Sequence, residues 1–258
     1  MEGELSLEQL HNVREYEFSL IRKHLPAADP KIRILEIGAG TGQQAAELSA
    51  LGYTVTAIDM PSSAYAEQRI YPIQDYDGRT LPVPDASVDV VFSSNVLEHV
   101  VEIHGLLKET ARVLKPEGMA IHVMPTSAWR ILTTLTYYPW LAKRFFQIVF
   151  FSKVKRHDGS VAKSAPTTAS ALSTLWQKKH GERGNLFTET WYFSEYWWCK
   201  TFRETGFRVE CVEPSGVAYS GSCLLADQLG VENKKMLSPI FGSSTKIYVV
   251  KKSLPVVQ

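Results

Sequence analysis

The chain is poor in cysteine: three among 258 residues, with no C-x-x-C pair and no histidine near them at zinc-ligand spacing. Cys199, Cys211 and Cys223 therefore read as reduced thiols of a cytosolic protein, and no metal set is expected. An excess of charge of either sign is also lacking. Lys and Arg number 28 against 27 Asp and Glu, a net charge of +1, so there is no long-range field to gather a polyanion and no nucleic-acid partner is expected. Long apolar runs are absent too. The most apolar stretch, "WRILTTLTYYPWLAKRFFQIVFFSKVKR" (Trp129 to Arg156), is broken by Lys143 and Arg144 into pieces shorter than the roughly 18 to 20 residues needed to span a bilayer. The first residues, "MEGELSLEQLHNVREYEF", are acidic and amphipathic, without the basic-then-apolar layout of a signal peptide, which predicts a cytoplasmic location. No internal repeat is visible, and nothing in the sequence sets an oligomeric state.

What is present is an alternation of short β-rich runs with helical patterns, the signature of βαβ units and a parallel sheet. "IRILEIG" (Ile32 to Gly38) has the nearly continuous apolarity of a central strand covered on both faces. Further strands are expected at Tyr53 to Asp59, Ile70 to Gln74, Val88 to Ser94 and Met119 to Pro125, then Phe207 to Pro214 and Ser244 to Lys252. Helices are expected around Gln43 to Leu51, Ser62 to Gln68 and Glu102 to Leu114. The expectation is one α/β domain over residues 1–258 with an aromatic-rich insertion over 126–198, a lid between strands five and six. All six tryptophans fall there, which predicts a separately built apolar surface. Its Ala/Ser/Thr-rich part, Ser160 to Thr174, reads as a linker.

The stretch "RILEIGAGTGQQAAEL" (Arg33 to Leu48) places Gly38, Gly40 and Gly42 between a strand and a helix. Backbone N–H groups and the positive helix end there face whatever approaches, and side chains would block it. The spacing is G-x-G-x-G, not the G-x-G-x-x-G of dinucleotide folds. Glu36 puts a carboxylate beside the loop, where it repels a pyrophosphate but can hold an ammonium group. Asp59, at the end of the second strand, has the reach to grip ribose hydroxyls. Together they suggest a nucleoside that carries a cationic amino-acid tail.

With "QDYDGRTLPVPDASVDVVFSSNVLEHV" and "LLKETARVLKPEGMAIHVMP" following in order, the chain resembles the class I S-adenosylmethionine-dependent methyltransferases of the small-molecule type, closely over Ile32 to Pro125. The resemblance implies a Rossmann-like, seven-stranded, mostly parallel sheet with an antiparallel last strand, flanked by helices. It also implies S-adenosyl-L-methionine as cofactor. Gly38, Gly40 and Gly42 would line its methionine and ribose side, Glu36 would orient the amino group, and Asp59 would bind the ribose. Met60 would lie against adenine, Asp75 and Tyr76 would cap it, and Ser94 would sit beside the methionine moiety. Plainer roles compete: Asp59 as a helix cap, Asp75 as a turn former, Met60 as packing.

His99, just past the fourth strand, is the candidate general base, with structural packing as its competitor. Glu98 and His104 are weaker candidates, and His180 could reach over the site from the insertion. The "SSNV" after strand four differs from the tetrapeptide of amino-directed enzymes, and the metal-binding acids of catechol-type enzymes are absent. The expected reaction is metal-independent O-methylation of a small, glycan- or lipid-linked hydroxylated acceptor. Glu182, Arg183, Glu189 and Glu195 would be acceptor contacts or solvated surface. A segment similar to tails of surface-polysaccharide methyltransferases, His180 to Phe207, points to a sugar. C- or N-methylation of another metabolite, or a non-catalytic cofactor-binding assembly role, are the alternatives. For 129–156 an apolar lid competes with a peripheral contact on an anionic inner membrane face.

Overall fold

In the computed structural model the described residues are 7–151, 177, 179–185, 187–221 and 230–253. Seven strands form one sheet in the order β3-β2-β1-β4-β5-β7-β6. They are β1 (Arg33–Ile37), β2 (Thr54–Asp59), β3 (Ile73–Asp75), β4 (Val88–Ser94), β5 (Leu114–Pro125), β6 (Phe207–Pro214) and β7 (Thr245–Lys252). The first five are parallel, and β7 runs antiparallel between β5 and β6. The expected fold class is the observed one.

Alternation along the central strands supplies two cores. Ile34, Val90 and Phe92 face Phe18 and Ile21 of α1 (Leu7–Ile21) and Leu48 of α2 (Gln43–Ala50). Leu35 and Val91 face the other way, onto Leu106 and Leu107 of α3 (Ile103–Val113). Burying each such side chain contributes about 1.5–3 kcal/mol. After β5 the chain enters α4 (Ser127–Phe151), which carries Pro139 inside it. Two shorter helices, α5 (Glu189–Tyr192) and α6 (Glu195–Glu204), then lead into β6, and α7 (Val231–Phe241) precedes β7.

Three local expectations are corrected. Ser62 to Gln68 holds only a 3₁₀ turn, Ala66–Gln68, because Pro61 and the two serines favour turn geometry over helix propagation. β3 begins three residues later than expected, after Pro72, which has no N–H to give to the ladder. β5 begins five residues earlier, since a register shift opposite Val88/Val90 absorbs the turn-like "KPEG".

Two of the described tryptophans join the cores of the sheet domain, while Trp191 is exposed. Trp198, on α6, lies in the main core with Phe202, and Trp129, on α4, packs with Val13, Phe193 and Tyr219. Ser194 caps α6 by accepting from Trp197 N at 3.2 Å, so the end of the expected insertion is a sheet-covering helix. The linker Ser160 to Thr174, Trp176, Cys223 and Lys153, Lys155 and Arg156 lie outside the described residues. Among the described residues no helix is long and apolar enough to cross a membrane.

Candidate active site

The carboxyl ends of β1, β2, β3 and β4 lie side by side, and register sets their last residues level: Asp59 pairs with Asp75 and Ile37 with Ser93. At the β1 end the loop turns through positive φ at Gly38, Gly40 and Gly42. A Cβ on Gly38 would come within 2.5 Å of Val96 Cγ2 and one on Gly42 within 2.6 Å of Tyr71 Cβ, so the loop is pressed against the segments after β4 and before β3. Asp59 holds it from the other side, its Oδ2 accepting from Gly40 N at 3.0 Å and its Oδ1 from Met60 N at 2.8 Å.

Beneath the loop, Glu36 is 2% exposed and its Oε2 has no hydrogen-bond partner. Burial, then the Asp59 and Glu47 carboxylates, push its carboxyl up to about 8. An orphaned buried carboxyl costs free energy that a cationic donor group offsets. The amino group of an S-adenosylmethionine tail is such a donor, so the residues present fit that cofactor.

The second half of the site lies past β4. Asn95 takes a left-handed conformation, which asparagine tolerates better than most residues, and a 3₁₀ turn, Leu97–His99, comes next. The turn sends Glu98 inward, fully buried, and leaves His99 partly exposed, its Nε2 3.8 Å from Glu98 Oε1. Burial pushes the Glu98 carboxyl up to about 7 and the His99 imidazole below its ordinary value. The His180 ring sits 4.8 Å from that of His99 and 4.6 Å from Trp129.

A set of hydrogen bonds docks this distant segment. Glu189 Oε1 accepts from His180 N and Gly181 N, both at 2.7 Å, and Glu189 Oε2 lies 3.0 Å from Arg130 Nε. Glu182 N donates to Glu98 O at 2.9 Å, while Arg183 donates to Val100 O and Leu97 O at 2.6 and 2.9 Å. From α1, Arg14 pairs with buried Glu17 at 2.7 Å and donates to Ser94 Oγ at 3.4 Å.

The structure thus brings Glu36, the three glycines, Asp59, Met60, Asp75, Tyr76 and Ser94 to one edge of the sheet. Asp75 is half-exposed and bound to Arg69 at 2.8 Å, Tyr76 is half-buried and donates its N–H to Asp59 O, and Met60 is exposed. His104 is not part of the site: it lies near Glu204, 3.6 Å away. Glu189 and Arg183 serve as clamps inside the fold, and Glu182 and Glu195 pair with Lys179 and Lys246 on the surface. Sequence reasoning missed Arg14 and Arg130. The i, i+3 spacing of Arg14 and Glu17 was the one available signal, and it does not reveal contact with Ser94.

Residues 35–122 match a family described as Methyltransferase domain. The bifunctional biotin biosynthesis protein BioHC of Cellvibrio japonicus is 38% identical over 102 residues, covering 38% of this chain and 20% of that protein. The ubiquinone biosynthesis O-methyltransferase of Rickettsia akari is 33% identical over 132 residues, 46% of this chain and 51% of that protein. The chain thus spans about half or less of these curated relatives. Among solved structures, a SAM-dependent methyltransferase from Archaeoglobus fulgidus aligns with a TM-score of 0.55 at 17% identity, covering 93% of this chain and 94% of that one. Another from Mesorhizobium loti aligns with a TM-score of 0.55 at 14% identity, over 92% and 98%. At these identities the likeness is one of fold.

Proposed function

Because this chain belongs to the class I S-adenosylmethionine-dependent methyltransferases, we propose that it moves the methyl group of that cofactor onto the oxygen of a small or glycan- or lipid-linked hydroxylated acceptor. The observation that carries the reading is the placement of two buried acids at one sheet edge. Glu36, without a partner, lies under the glycine loop at the donor end. Glu98, with His99 and His180 beside it, lies past β4 at the acceptor end.

The cofactor supplies a methyl group already activated by positive sulfur. The protein's share is alignment, worth up to roughly 7–11 kcal/mol in favourable models. Glu36 and the glycine loop fix the amino-acid tail, while Asp59 and Asp75 fix the nucleoside. His99 meets the acceptor oxygen and takes its proton. Trp129 and Phe193, both buried, pack their rings against His180 and so hold its imidazole towards the acceptor. An O-methyltransferase among the similar proteins supports oxygen over carbon or nitrogen as the methylated atom.

Substituting His99 with Ala lowers turnover at least tenfold and leaves S-adenosylhomocysteine affinity unchanged. Unchanged turnover removes His99 from the reaction. Methyl incorporation from labelled cofactor into activated sugars, quinol precursors or lipid fractions identifies the acceptor. Absence of S-adenosylhomocysteine binding in calorimetry overturns the whole reading.

A second feature favours acceptors presented at a membrane surface. On α4, Ile131, Leu135 and Tyr138 are exposed at i, i+4 and i+7, an outward apolar stripe on a helix that also buries Trp129 and Leu132. The inner, buried face supports the lid reading, and the outer stripe supports peripheral contact.

A further inference from the structure

We infer that Glu98, His99 and His180 form a binding site for one divalent transition cation at the acceptor end of the active site. A Glu98 oxygen and one ring nitrogen of each histidine lie within 4.8 Å of one another. Bonds of about 2.0–2.2 Å in tetrahedral geometry place ligand atoms about 3.3–3.6 Å apart. Small rotations of the two partly exposed imidazoles close that difference.

The set is built in advance, although its members are far apart in sequence. The Glu98 carboxylate is fully buried, and neither oxygen has a hydrogen-bond partner. Neither neighbouring cation hydrogen-bonds it: the Arg183 guanidinium is aimed at the Leu97 and Val100 carbonyls and Arg14 at Glu17 and Ser94, so both act on it only through space. The ligand-bearing segments are tied to each other by Glu182 N to Glu98 O, and the His180 backbone is fixed by Glu189. Such supporting bonds orient metal ligands elsewhere.

Two imidazoles and one carboxylate suit zinc, manganese or iron rather than magnesium, which prefers oxygen ligands. Three protein ligands leave a position open. The inference rests on the proposed reaction only for its account of that position, which takes the acceptor oxygen. With the ion bound, the acceptor hydroxyl loses its proton to solvent water instead of to His99. This inference departs from the metal-free expectation read from the sequence.

The test is calorimetric titration of the full chain, free of cofactor and acceptor, with ZnCl₂, MnCl₂ and MgCl₂. One equivalent of Zn²⁺ or Mn²⁺ binds, more tightly than Mg²⁺, and His180→Ala and Glu98→Gln each weaken it at least tenfold. Both variants keep S-adenosylhomocysteine binding, which reports their folding. A second described cluster, His24, Cys211 and Glu213, is controlled by Cys211→Ser, which leaves the affinity unchanged. Absence of stoichiometric binding, or affinity unaffected by His180→Ala, overturns the inference and leaves the methyl-transfer reading intact. Failure to bind S-adenosylhomocysteine with normal metal binding does the reverse.

Discussion

Glu36 concentrates the chemistry of the donor end in one side chain. Its carboxyl, pushed up to about 8 in the ligand-free protein, is mostly protonated at neutral pH, whereas an ammonium ligand requires it ionised. Binding therefore releases a proton below pH 8. S-adenosylhomocysteine affinity should rise by close to tenfold per pH unit from 6 towards 8 and flatten above it. Calorimetry in buffers of different ionisation enthalpy measures both effects, and pH-independent affinity contradicts the assignment. For the ligand-free protein the sign is opposite: the stability linked to a raised carboxyl is complete below its ordinary value of 4.5 and is lost as pH rises through 8. Glu36→Gln abolishes the pH dependence and weakens binding about ten- to hundredfold, the equivalent of about 1.5–3 kcal/mol for a hydrogen bond to a charged group. Residues of this kind were legible because strand, loop and helix succeed each other directly, so that Glu36, the glycines and Asp59 meet through local geometry alone. Arg14 and Arg130 come to the site through tertiary packing, which single-sequence periodicity does not encode.

β4, in the middle of the sheet, and β6, at its edge, were read to the residue, since burial on both faces or clear alternation leaves a strong pattern, whereas central β5 was read five residues short at its start. Short and connecting elements were read less well. β3 is short and lies between turn-forming residues, and the 3₁₀ turn before it follows Pro61 and two serines, whose preference for turns outweighs the helical pattern of the residues after them. The glycine loop gives an element-level test. Gly38→Ala meets both a left-handed backbone, which costs roughly 1–2 kcal/mol, and the Val96 methyl at 2.5 Å, whereas Gly40→Ala meets only the backbone cost because its nearest neighbour, Tyr65, stands at 3.5 Å. Thermal melts should show the larger loss for Gly38→Ala. Equal losses mean that the loop is not pressed against the segment after β4. The clamp on His180 gives another. Glu189→Ala removes the carboxylate that faces the buried Arg130 guanidinium and frees the His180 and Gly181 N–H groups, which loosens this segment. The acceptor KM should rise and kcat fall while S-adenosylhomocysteine binding holds, which separates a loosened acceptor wall from a damaged donor site.

Across the molecule, the donor end is made from the amino-terminal half of the sheet and the acceptor end mainly from the chain beyond β5. The charge balance near neutrality means that any attraction to a surface must be local. α4 supplies the locality: Trp129 and Leu132 anchor its inner face in the fold, Ile131, Leu135 and Tyr138 look outward, and Lys143 and Arg144 come next in the sequence. An apolar stripe followed in sequence by basic residues has the composition of surfaces that bind anionic bilayers through partial insertion and charge together, and contact through it would bring the Trp129 region to the lipid. Flotation with vesicles containing phosphatidylglycerol should carry the protein upward, more strongly at low than at high salt, and Ile131→Ser combined with Leu135→Ser should abolish it without changing the melting temperature by more than a few degrees, since both side chains are already exposed. Flotation that persists in the double variant assigns membrane contact to another surface. No flotation of the parent chain leaves the stripe as the outer face of a lid, and the acceptor as a molecule met in solution.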